Sequence, residues 1–103
     1  MNDWLKVCGI GDIPRSGARA GVDGSGMRIA IFRTGNDEVF ALEDKCPHKG
    51  GPLSDGIVWG DNVTCPLHGW IINLRDGKAI PPDEGVTRVY EVRVKDGEVF
   101  IKL

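Results

Sequence analysis

The sequence predicts an all-β fold, a small barrel or sandwich with two loops as a cap. Three observations carry that expectation. Short runs rich in Val, Ile, Phe and Trp recur along the 103 residues, divided by Gly, Asp and Asn, the signature of strands joined by tight turns. No stretch repeats its apolar residues at the 3.6-residue period of a helix. Asp96-Gly97 stands between two alternating runs and is a strong two-residue hairpin signal.

Taken in order, the pattern gives about eight or nine strands. Trp4-Leu5-Lys6-Val7-Cys8 is the first, stopped by Gly9, and residues 12–17 are turn text. Residues 18–22 form a short strand. Asp23-Gly24-Ser25-Gly26 is a turn and not a phosphate loop, because it lacks the G-x-G-x-x-G spacing and a following helix. Residues 27–33, rich in Ile and Phe, make the best early strand. Gly35-Asn36-Asp37 turns it into a hairpin partner over 38–42. Ile57-Val58-Trp59 turns at Gly60-Asp61-Asn62 into Val63-Thr64. Residues 70–74 read as a strand, 75–78 as a turn, and 80–85 as an irregular acidic crossing. One strand over 88–95 alternates Val89, Glu91, Arg93 against Tyr90, Val92, Val94. The last, over 98–103, puts Val99, Ile101 and Leu103 on one face.

Size and charge bound the rest. Residues 1–103 make one domain, with a single modest core. A net charge of −2 argues against a nucleic-acid partner, which calls for a basic face. No apolar run approaches the ~20 residues of a membrane span. The start, Met1-Asn2-Asp3-Trp4-Leu5-Lys6, has no basic region followed by an apolar core, so no signal peptide is expected. There is no nucleotide-binding glycine pattern and no third histidine, and no catalytic residue is singled out. The expected location is the cytoplasm, where a thiol left over such as Cys8 stays reduced and serves as a small buried hydrophobe.

The chemistry gathers between Cys46 and His68. The chain reads Cys46-Pro47-His48 and then, after sixteen residues (49–64), Cys65-Pro66-Leu67-His68. Both histidines and two of the three cysteines lie here. Two thiolates and two imidazoles form a four-ligand set for zinc or for an iron–sulfur cluster. Zinc sites usually pair like with like, two cysteines in a knuckle and two histidines on a helix. A centre with two thiolates on one iron and two histidines on the other is met by two loops that each give one of each. A zinc-stabilised binding module without redox work stays as the alternative. Pro47 and Pro66 stiffen the loops, and Gly50, Gly51 and Gly69 leave backbone N–H groups free to face an anionic group.

C-x-H, sixteen residues, then C-x-x-H resembles the ligand pattern of the Rieske 2Fe–2S family. The flanking text is narrower. CPHKGGPLSDG, GDNVTCPLHGWIINLRDGKAIPPDEGV and RVYEVRVKDGEVFI look like the small subunit of assimilatory NAD(P)H nitrite reductase, over nearly the whole chain. Rieske ferredoxins that feed ring-hydroxylating oxygenases share the core pattern and form the alternative within the same chemistry. The resemblance implies a Rieske-type barrel or sandwich whose 2Fe–2S cluster is held by Cys46, His48, Cys65 and His68. It implies an electron-transfer part, not catalytic alone, that binds a large catalytic subunit carrying FAD, sirohaem and the NAD(P)H site, where nitrite becomes ammonium. Neither nucleic acid nor membrane is expected as a partner. It also implies a low potential. High-potential members have a disulfide-forming cysteine in each loop, where this chain has Gly51 and Leu67, and hydroxyl residues where it has Trp70 and Ile72. Finally, Leu53 and Leu67 are expected to shield the cluster and Trp70 to anchor the second loop in the core.

Overall fold

The computed structural model describes residues 4–47, 50–67 and 69–102. Among them run ten strands: β1 (Trp4–Gly9), β2 (Gly17–Val22), β3 (Arg28–Arg33), β4 (Val39–Glu43), β5 (Ile57–Trp59), β6 (Asn62–Thr64), β7 (Ile71–Asn73), β8 (Val89–Tyr90), β9 (Val92–Lys95) and β10 (Glu98–Lys102). They form three antiparallel sheets in the orders β1-β10-β9, β2-β3-β4-β8 and β5-β6-β7. Two short 3-10 helices, Ile10–Asp12 and Leu53–Asp55, complete the regular structure. The fold is all-β, as the strand-and-turn text requires. No helix among the described residues is long and apolar enough to cross a membrane.

The molecule is layered about β3. Ile29, Ala30, Ile31 and Phe32 are each at most 1% exposed. Successive side chains of a strand point to opposite faces, so both faces of this sheet are covered. Ile29 and Ile31 join Cys8, Ile13, Ala41, Tyr90, Val99 and Ile101 in one core, against the β1-β10-β9 sheet. Ala30 and Phe32 join Leu42, Leu53, Val58, Val63, Ile72 and Leu74 in a second core, against the β5-β6-β7 sheet. Cys46 and Cys65 belong to this second core. An unbroken apolar run is what a strand buried on both faces needs.

The single strand expected over 88–95 is two strands. Tyr90 and Val89 pair with Ala41 and Leu42 of β4, whereas Val92 pairs with Ile101 of β10. Between them the Glu91 carbonyl accepts the Lys102 N–H at 2.9 Å. The chain changes sheets at Glu91, and its side-chain alternation runs through the corner without marking it. Trp70 and Leu74 flank β7 and do not belong to it. The Asp96-Gly97 hairpin is present, with both residues at positive φ (53° and 75°), as a tight turn between twisted strands demands. Leu103 lies outside the described residues.

Candidate metal centre

Two cysteine loops rise from the second core. The later one is a hairpin loop. Val63 pairs with Ile72 and Thr64 with Ile71, and Thr64 leads directly into Cys65. The Cys65 N–H donates to the Trp70 carbonyl at 2.7 Å, and the Gly69 N–H donates to the Cys65 carbonyl at 3.2 Å. The earlier loop makes the same two bonds, Cys46 N–H to the Gly51 carbonyl at 2.8 Å and Gly50 N–H to the Cys46 carbonyl at 2.9 Å. Gly50 and Gly69 share a φ of 72°, which a side chain would strain. The sequences CPHKGG and CPLHGW therefore end in one repeated turn, written Cys-Pro-x-x-Gly-x.

The loops touch at Gly51. A Cβ there would stand 2.7 Å from Leu67 Cδ1 and 3.4 Å from Cys65 Sγ, so the backbone of one loop lies on the cysteine of the other. Cys46 and Cys65 are 1% and 3% exposed. Leu53 is fully buried beneath them, while Leu67 is largely exposed and lies across Gly51. Trp70 is half-buried and packs against the second core, the anchoring position expected of it. The segment after β7 folds back over both loops, bringing Gly85 against Pro47 and the Trp70 ring.

Of the four expected ligands, the structure brings Cys46 and Cys65 to one place. His48 and His68 lie outside the described residues, as does Lys49. Two soft sulfur donors, buried on twin turns whose backbones touch, suit a metal that takes thiolates. Cys8 belongs to the other core. Burial pushes its thiol pKa up, which keeps it a neutral apolar group as expected. Two residues escaped the sequence reading. Asp44, whose side chain is fully buried, accepts hydrogen bonds from the Ser54 N–H at 2.8 Å and the Ser54 hydroxyl at 2.7 Å. Their only sequence signal is a carboxylate and a hydroxyl placed just outside the first loop.

Residues 3–91 match the Rieske 2Fe–2S domain family, and the chain belongs to it. It is an electron-transfer domain of that kind. Ferredoxin CarAc of Metapseudomonas resinovorans is 37% identical over 99 residues, covering 95% of this chain and 92% of the relative. The anthranilate 1,2-dioxygenase ferredoxin subunit of Burkholderia cepacia is 39% identical over 105 residues, covering 100% and 94%. Among solved structures, one from a complex of oxygenase and ferredoxin in carbazole 1,9a-dioxygenase superposes with a TM-score of 0.86 at 35% identity, covering 99% and 94%. The E. coli protein NirD superposes at 0.85 with 30% identity, covering 100% and 98%. A further solved structure, described as that of an oxidoreductase assigned as a nitrite reductase NADPH small subunit, superposes at 0.86 with 25% identity, covering 97% and 98%.

Proposed function

We infer that this chain carries single electrons for a larger cytoplasmic redox enzyme, and that the enzyme is the NAD(P)H-dependent assimilatory nitrite reductase. Cys46 and Cys65 would hold one iron of a 2Fe–2S cluster, and His48 and His68 the other. When bound, that cluster takes up and gives back one electron. The chain's own residues keep the two sulfurs away from water, hold the loops in contact through Gly51, and present the loop tips to the partner. One observation carries the choice of partner. The narrower resemblance includes GKAIPPDEGV, and in the structure this segment folds onto both loops through Gly85, Pro47 and Trp70. A partner docking at the loops meets that text directly.

A second reading is a ferredoxin that feeds a ring-hydroxylating oxygenase, favoured by the 39% identity to a dioxygenase ferredoxin subunit and the 37% identity to a second ferredoxin. Capture of the tagged chain from its own cells separates the two. Recovery with a subunit that carries sirohaem and FAD supports nitrite reductase. Recovery with an oxygenase component supports the second reading and removes the first. One zinc per chain without labile sulfide removes both in favour of a structural module.

A further inference from the structure

The two cysteine loops share a turn but not a base. The later loop is closed by the β6–β7 ladder, whose last pair, Thr64 and Ile71, stands one residue outside the Cys65–Trp70 bond. The earlier loop has no such ladder among the described residues. β4 stops at Glu43, and the chain beyond Gly51 enters the 3-10 helix Leu53–Asp55. What spans the gap is Asp44. Its backbone N–H donates to the Arg28 carbonyl at 3.0 Å, which fixes it to the end of β3. Its carboxylate reaches across the loop to the N–H and hydroxyl of Ser54.

We propose that Asp44 and Ser54 form a latch that holds the first loop in its ligand-presenting shape, so that the latch governs how long the protein keeps its metal centre. The latch rests on the reading that Cys46 belongs to a 2Fe–2S site. Both carboxylate oxygens are used, one for each Ser54 donor, and both bonds are short. Hydrogen bonds to a charged acceptor are about twice as strong as neutral ones, and a buried carboxylate deprived of its donors is costly. The Arg28 guanidinium, at 3.7 Å, contributes less, because its side chain is largely exposed. Asp44 is a positioning residue: it acts on Cys46 through the backbone of Lys45.

The test follows loss of visible absorbance after an iron chelator is added to the purified holoprotein. Ser54→Ala removes one donor and keeps the backbone bond. Asp44→Asn removes the charge with little change of shape, so that the bonds its amide keeps to Ser54 are neutral ones. Each is expected to speed release of iron about tenfold, the order of one hydrogen bond to a charged group. Ser54→Thr keeps the hydroxyl and is expected to stay within about twofold of the parent chain. Ile101→Val trims the other core and controls for stability alone, lowering the melting temperature while leaving the release rate in place. The proposal is overturned if release follows melting temperature across all four variants, since Asp44 would then support the domain generally. A parent protein that contains no iron or labile sulfide overturns the proposal together with the reading it rests on. A parent that holds the cluster but ignores the latch overturns the proposal alone.

Discussion

The first and second cysteine loops end in the same turn and are held by different means. In the second, Cys65 follows a strand, and the ladder of β6 and β7 distributes the closure over several backbone bonds. In the first, beyond the turn's own backbone bonds, closure falls to the Asp44 carboxylate, which accepts from the N–H and the hydroxyl of Ser54. A backbone ladder tolerates most side chains, because every residue brings its own N–H and carbonyl. A side-chain closure tolerates only residues with the right donors and acceptors. Equal turns can therefore differ in fragility, and the first loop is the fragile one.

The largest effect tests whether the loops are equal as chemistry. Cys46→Ser and Cys65→Ser should each reduce iron from about two per chain to near none. A variant that keeps its full iron removes that cysteine from the ligand set. The next concerns the contact between the loops. Gly51 and Leu67 touch, and neither offers a thiol to bridge them. Ile72 is fully buried and has no hydroxyl to give. Fewer donors near the sulfurs favour a low potential, so a redox titration should give a midpoint toward about −150 mV and away from about +300 mV. A midpoint well above zero contradicts it.

Smaller effects probe the repeated turn. Gly50→Ala and Gly69→Ala each force a Cβ into a left-handed conformation, at a cost of about 1–2 kcal/mol. Chemical denaturation should show the two costs agreeing within about 0.5 kcal/mol. A clear inequality would mean that the twin bonds conceal different strain. The smallest effect lies outside both loops and serves as their reference. Asp23 accepts hydrogen bonds from the Ser25 hydroxyl, two backbone N–H groups and the Tyr90 hydroxyl. These hold its pKa down to about 2. Since the unfolded value is about 3.9, its contribution is complete above about pH 4 and is lost as pH falls toward about 2. Melting curves of Asp23→Asn should show lower stability at neutral pH and a shallower acid decline. An unchanged acid decline would show that other carboxylates control it.

What the sequence made legible was local. The apolar run of β3, the Asp96-Gly97 turn and the Cys-Pro loops each state their structure within a few residues. The change of sheet at Glu91 was hidden, because it depends on β4 and β10, which lie far apart in the chain. The latch was hidden for a related reason. Asp44 and Ser54 are ordinary polar residues until β3 and the 3-10 helix fix them on either side of one loop. Two of the four expected ligands, Cys46 and Cys65, lie in one core, and their ligation stays a proposal.

β1 and β10 lie side by side, with Trp4 opposite Lys102. Their sheet packs on one face of the middle layer, and the cysteine loops rise from the core on the other. β1 and β10, the latter the central strand of that sheet, are thus neighbours on the side remote from the chemistry. Such a unit can be spliced into a longer polypeptide on that side, or closed into a ring and reopened elsewhere, without disturbing its working end. A circular permutant linked between residues 102 and 4 and reopened in the exposed Asp96-Gly97 turn should bind the same iron and show the same midpoint potential as the parent chain.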